Sequence, residues 1–242
     1  MIRLDSLKLK IPLENVELQN DCFLEKTLTR HDGFVKSEQE TLDQDMNKVV
    51  GLKNIIVNQG VLVELSAKIL GDDYLQGINI NNIERIAEAV SPFMKILSFE
   101  DAELLRCDCT TNIVVDNVRE SIAALRLGKS NSGYKVDDYK TALNNGIVFT
   151  GRQVSYKNRQ IYYNKQVEMK LARNKDFLSS LNHQVEFYDS LKPLLRIEQN
   201  ISRKAPIRKR FRTKNTDILN VLASTSSSTI STICCPIATM AM

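Results

Sequence analysis

A chain of 242 residues, 43% apolar and 26% charged, has room for one large folded domain or for one domain with a tail. Nine glycines and five prolines are too few for a fibrous or low-complexity chain. The net charge of +4 is too small to indicate nucleic acid by itself, so its distribution along the chain carries more information.

The first residues, "MIRLDSLKLKIPLENVE", lack the apolar stretch of a signal peptide, and Leu7 to Ile11 alternates like a half-buried strand. Residues 13–50 are acidic and polar without a steady period and read as loop with one short helix. Residues 54–68 read as two short strands joined at Gln59-Gly60. Next, Ile83, Ile86, Ala87 and Val90 recur at helical spacing, with Asn81 or Asn82 as N-cap and Pro92 as terminator. Residues 103–113 predict a strand. Residues 115–128 predict a helix capped by Asp116, with Val118, Ile122 and Leu125 on one face and Gly128 at its end. Residues 129–135 read as a polar loop. A hairpin follows, with strands at about 147–150 and 159–164. Residues 166–191 read as helix broken near Asn174 and stopped by Pro193, and 194–201 as a strand. Hairpins mixed with helices, without strict βαβ alternation, predict an α+β fold with a mainly antiparallel central sheet flanked by helices.

No run of about 18 apolar residues exists, so no transmembrane helix and no membrane partner are expected. Five cysteines, an odd count, give no disulfide framework. Cys107 and Cys109 form a C-x-C without nearby histidine, too little for zinc, and read as core-facing residues of one strand. A reducing, cytoplasmic compartment fits this usage. Between Arg203 and Lys214 the chain reads "RKAPIRKRFRTK", seven basic residues and no acid. Arg203, Lys204, Arg208, Lys209 and Arg210 are therefore DNA-contact candidates, and a solvated basic segment is the plainer alternative. The last twenty residues are uncharged and rich in Ser and Thr, and read as a disordered tail or the product of a frameshift or truncation. The expected organisation is one folded domain over 1–205, followed by a basic segment and tail over 206–242.

Period-two geometry makes three of these strands chemically interesting. In 104–110, Leu105, Cys107 and Cys109 share one face, and Arg106, Asp108 and Thr110 the other. In 194–200, Arg196 and Glu198 share a face opposite Leu195 and Ile197. In 161–165, Ile161, Tyr163 and Lys165 share one face, and Tyr162 and Asn164 the other. If the strands are neighbours, one sheet face gathers Asp108, Glu198, Tyr163 and Lys165. Two carboxylates suit Mg²⁺ or Mn²⁺. A phenolate can attack phosphorus, and a lysine can lower the phenol's pKa or neutralise the transition state. Each residue also has a plainer reading. Tyrosines pack in strands, Arg106–Asp108 and Arg196–Glu198 can be exposed pairs, and Lys165 with Glu168 can be a solvated helix start.

The ordered segments "LLRCDCTTNIVVDNVRESIAAL", "IVFTGRQVSYKNRQIYYNKQVEMK" and "LKPLLRIEQNISRK" resemble the phage and plasmid replication initiators of the filamentous-phage gene II type. In that family an R-x-D strand, a Y-x-K-x-x-E strand end and an R-x-E strand follow one another. Residues 61–80 resemble the segment upstream of them, so the likeness spans about 55–205. It implies a Rep-nuclease-like fold and a rolling-circle endonuclease that nicks one strand of a supercoiled origin. A tyrosine keeps the 5′ phosphate, the 3′-OH primes synthesis, and the enzyme later joins the displaced single strand. The likeness implies Tyr163 as nucleophile and Lys165 as its partner. It also implies Asp108 and Glu198 as metal ligands, Glu64 as a further ligand or structural acid, and Arg106, Arg196 and Lys68 as DNA contacts. Host helicase and polymerase are implied as partners. Only His31 and His183 are present, with no H-x-H pair, so a metal site must be largely carboxylate. The competing expectation is a truncated, non-catalytic DNA-binding regulator of replication or copy number.

Overall fold

The computed structural model describes residues 3–18, 23–29, 35–41, 53–57, 60–92, 94–129, 134–139, 146–151 and 159–227. In chain order the strands before the first α-helix are β1 (Arg3–Ile11), β2 (Val16–Leu18), β3 (Phe23–Thr29), β4 (Val35–Thr41), β5 (Lys53–Val57) and β6 (Gly60–Ser66). A 3-10 segment, Ala67–Gln76, leads to α1 (Ile83–Val90) and β7 (Met94–Ile96). Then come β8 (Glu103–Val114), α2 (Val118–Lys129), β9 (Tyr134–Asp138), β10 (Gly146–Gly151) and β11 (Gln160–Asn164). The last part holds the short helices α3 (Lys165–Met169), α4 (Lys175–Ser179) and α5 (Gln184–Ser190), then β12 (Leu194–Ser202), α6 (Lys204–Phe211) and α7 (Ile218–Ser227).

Eight of the described strands form one sheet in the order β5-β6-β1-β8-β12-β11-β10-β9, and every pairing in it is antiparallel. This is the α+β arrangement that the element order predicts. One sheet face is apolar. Leu7 and Leu9 of β1, Cys107 and Cys109 of β8, Ile197 of β12, Tyr162 of β11 and Phe149 of β10 are buried there. Val118 and Ile122 of α2 and Ile207 and Phe211 of α6 belong to the same core. Each fully buried aliphatic side chain stabilises the fold by about 2 kcal/mol. A one-residue slip of β8 would expose both cysteines and bury Asp108, so the register is strongly specified. Residue 205 falls inside α6, and the core continues past it to Leu222.

Five expectations are corrected. The 13–50 region holds β2 and the β3–β4 hairpin, because its alternation is carried by polar residues and resembles loop. Leu105 does not share a face with Cys107. The register steps from Lys8↔Arg106 to Leu9↔Leu104, so Leu105 is the extra residue of a bulge and Leu104 takes the core position. The α2 cap is Asn117, whose Oδ1 accepts from the N–H groups of Arg119 and Glu120, in place of Asp116. Tyr134 begins a strand inside the expected 129–135 loop; its charged "YKVDD" suits a sheet edge. Residues 166–191 form short pieces, α3 to α5, divided by the 3-10 turn at Ala172–Asn174. No helix among the described residues is long and apolar enough to cross a membrane.

Candidate active site

The polar face of the sheet is built by parity. Asp108 pairs with Ser6 on one side and Asn200 on the other, Glu198 pairs with Thr110 and Ile161, and Arg196 pairs with Tyr163. Asp108, Glu198 and Tyr163 therefore point the same way from three adjacent strands. Tyr163 Oη donates to Glu198 Oε2 at 2.9 Å. Asp108 accepts from Ser6 Oγ and Asn200 Nδ2. Tyr163 is only 3% exposed and stacks against Tyr139, ring centroids 5.2 Å apart. Gly146 sits directly opposite it, where a Cβ would come within 2.7 Å of Tyr163 Cβ. The absence of a side chain at Gly146 lets β10 approach β11 this closely, and a larger residue there would force the strands to shift.

A second bulge supplies a carboxylate that alternation does not foresee. The register jumps from Leu4↔Cys109 to Ser6↔Asp108, leaving Asp5 as the extra residue. Asp5 Oδ1 accepts from Arg196 Nη2 at 2.7 Å. The same nitrogen reaches Thr110 Oγ1 at 3.1 Å, and Nη1 donates to Tyr74 Oη at 2.8 Å. Arg196 is buried, so its guanidinium braces the site from within.

Lys165 lies just past the strand end, at the start of α3. Asn164 caps that helix, accepting from Val167 N–H at 3.1 Å. Lys165 Nζ meets Glu168 Oε2 at 2.7 Å and sits 4.9 Å from the Tyr74 ring centre and 5.9 Å from that of Tyr163. Arg173 holds the other oxygen of Glu168 at 2.6 Å, and Asn174 Nδ2 donates to the Glu168 carbonyl at 2.8 Å. Lys68 Nζ donates to Asn174 Oδ1 at 2.9 Å, which ties β6's exit to the cluster. Lys165 and Glu168 are 2% and 5% exposed, so the reading of a solvated helix start is overturned.

These environments displace the ionisable groups in different directions. Burial raises the Glu198 carboxyl, the charges of Asp5 and Asp108 add to it, and together they bring it to about 7 despite Arg196 and the Tyr163 hydroxyl. Burial also raises the Tyr163 phenol, helped by Glu198, well above its ordinary value. Glu168 goes the other way: burial opposes its charge, but Lys165 and Arg173 outweigh burial and hold it at about 2. Lys165 is lowered by burial and by Arg196, with Glu168 and Asp5 offsetting part of this.

Other sequence-selected residues lie apart. Glu64, on β6, binds Lys8 at 2.6 Å and lies 4.0 Å from Arg106, with β1 between it and Asp108. Among the described residues no three His, Cys, Asp or Glu side chains converge as a metal-holding group. His183 is exposed, and His31 lies outside the described residues. Tyr162 faces the apolar side, its ring edge-on to Phe149 at 5.1 Å. Arg203 to Arg210 lie on or beside α6. Asp5, Ser6, Tyr74, Asn174 and Asn200 join the site without having been selected from sequence. Asn200 was findable, since "RIEQN" keeps Arg196, Glu198 and Asn200 in one parity. Asp5 and Tyr74 depend on a bulge and a tertiary contact and leave no local signal.

The family model for the N-terminal region of the phage gene II replication-associated protein matches residues 65–223, well over half of the chain. The match contains Asp108, Tyr163, Lys165, Glu168 and Glu198 and begins one residue after Glu64. No curated protein matches the chain.

Proposed function

The chain belongs to the family of gene II replication-associated proteins, and on that premise we propose that it is a rolling-circle initiator that nicks and rejoins one DNA strand through a phosphotyrosine. The observation that carries this reading is the hydrogen bond from Tyr163 Oη to Glu198, beside Asp108 on the same sheet face. Tyr163 Oη attacks phosphorus, the P–O3′ bond breaks, and the departing 3′ oxygen takes up a proton. The 5′ phosphate stays on the tyrosine. Attack by a 3′-hydroxyl reverses the step and rejoins a strand. Lys165 and Arg196 place positive charge around the phenol as its proton leaves. Glu198 accepts that hydroxyl's hydrogen bond in the resting protein and fixes its direction.

Two carboxylates on one sheet face are a ligand set that suits Mg²⁺ or Mn²⁺, ions that need only one or two protein carboxylates beside water and phosphate oxygens. Glu198 is raised partly by the Asp5 and Asp108 charges, an excess of negative charge that a cation would relieve. Asp108 and Glu198 would hold the ion. Bound there, it supplies Lewis-acid polarisation of the phosphodiester and neutralises developing charge. The proposed setting is a Rep-nuclease-like fold in the cytoplasm, acting on supercoiled origin DNA with host helicase and polymerase.

A second reading is a DNA-binding regulator without nicking. It is favoured by the closure of Tyr163, 3% exposed and hydrogen-bonded in the resting structure. One assay separates the two readings. Supercoiled plasmid bearing the replicon's own origin is incubated with the protein and Mg²⁺ or Mn²⁺. Nicking that disappears in Tyr163→Phe and persists in Tyr162→Phe supports the enzyme. Salt-sensitive binding without nicking under either ion supports the regulator.

A further inference from the structure

The basic run of 203–214 lies on α6 and the turn after it. Ile207 and Phe211, four apart, bury one stripe of α6 in the core. Arg203, Lys204, Arg208, Lys209, Arg212 and Lys214 are all exposed, and no acidic residue lies between Arg203 and Lys214.

Helix stability accounts for only part of this pattern. Arg208, Lys209 and Arg210 occupy the last turn, where cations favour the helix dipole. Arg203 and Lys204 sit at the opposite end, where a cation opposes the helix dipole. Lys204 is offset by an ion pair with Glu103. Arg203 and Arg212 also bound the helix with positive φ, 79° and 55°. A non-glycine residue is strained in that region, and glycine would avoid the strain. At Arg203 both the helix dipole and the backbone conformation oppose the residue present, so helix stability does not account for it.

The patch and the tyrosine lie on different sides of the sheet. α6 packs against β12 and β8 with Ile207 and Phe211 buried, while Arg106, Asp108, Asn200 and Ser202, the polar-face residues at that end of the two strands, are only partly buried, so α6 covers the face of Cys107 and Ile201. Packed layers are about 10 Å apart, so a strand seated at Tyr163 does not reach α6 without rounding the sheet.

We propose that α6 and its following turn form a second DNA-binding surface, which holds duplex DNA while the polar face takes the strand to be cut. The role given to the polar face rests on the nicking activity proposed above; the duplex surface does not. Duplex is the form that fits, because it presents one negative charge per roughly 1.7 Å to a fixed array of cations.

The test uses the full chain carrying Tyr163→Phe, without divalent ions, so its outcome does not depend on cleavage. Anisotropy is read with a labelled 25-base-pair duplex of mixed sequence and, separately, a 12-nucleotide oligo-dT. Arg208→Ala/Lys209→Ala/Arg212→Ala is expected to weaken duplex binding at least tenfold. It should also lower the slope of log K against log salt by about 2.7, since each phosphate neutralised by a cation contributes about 0.9. Oligo-dT binding should change less than twofold, and saturating oligo-dT should leave the duplex bound. Lys209→Glu, a single exposed reversal, should shift duplex affinity the same way if the triple variant fails to fold. Unchanged duplex affinity, equal loss for both probes, or displacement of duplex by oligo-dT overturns the proposal. Absence of plasmid nicking by the unmodified chain would instead count only against the enzymatic reading.

Discussion

Glu168 and Glu198 carry the same functional group, and their surroundings move them in opposite directions. Glu168 binds its proton less tightly when folded. Its stabilisation is complete above the ordinary value of 4.5 and is lost as pH falls through about 2. Glu168→Gln leaves Lys165 buried beside a neutral amide, and urea unfolding at pH 7 should show a loss of about 3 kcal/mol. Lys165→Met/Glu168→Leu, which removes both charges, should recover most of that loss. A double variant no more stable than the single one would refute the ion-pair account. Glu198 binds its proton more tightly when folded, so its contribution is present below 4.5 and is lost as pH rises through about 7. In metal-free buffer the parent should lose on the order of 2 kcal/mol between pH 5 and pH 8 from this group. Glu198→Gln should flatten that part of the stability curve; an unchanged slope would show that the carboxyl is not raised.

At the level of elements, local rules work where the interaction is local. Asn117 is the residue whose side chain accepts two first-turn N–H groups of α2. Asn117→Ala should cost about 1 kcal/mol in thermal unfolding, and Asp116→Ala less than about 0.5. Equal losses would return the cap to Asp116. The sequence could not separate these neighbours, since both are good caps. Strands β8 and β12 were legible because one face is apolar and the other polar, and period two then fixes each side chain's direction; β11 is buried on both faces and was legible from its β-branched and aromatic residues. The bulges at Asp5 and Leu105 were not legible. An extra residue reverses parity without any change in composition, and its placement depends on the partner strand. Asp5 matters most, because it gives buried Arg196 its carboxylate. Asp5→Ala should destabilise by about 3 kcal/mol in urea unfolding, and a loss under about 1 kcal/mol would show that Thr110 and Tyr74 suffice.

For the whole molecule, eight antiparallel strands bring together residues far apart in sequence. Asp5, Tyr74, Asp108, Tyr163 and Arg196 form one connected neighbourhood. The motif order pointed to Asp108, Tyr163 and Glu198 as a group, and the sheet does aim them from adjacent strands. It also separates what sequence left together. Glu64 lies beyond β1 with Lys8 and Arg106, and the basic run of α6 sits on the apolar side, away from Tyr163. The remaining members, Tyr74 and Asn174, come from tertiary packing of short segments that have no period long enough to read. The central claim is that Tyr163 carries the phosphodiester. The most direct measurement is peptide mapping by mass spectrometry of the covalent adduct formed when the protein meets origin DNA with Mg²⁺ or Mn²⁺. The account predicts a nucleotide-bearing peptide modified at Tyr163 and absent from Tyr163→Phe. An adduct on Tyr162 or Tyr139, or one that survives Tyr163→Phe, would contradict it.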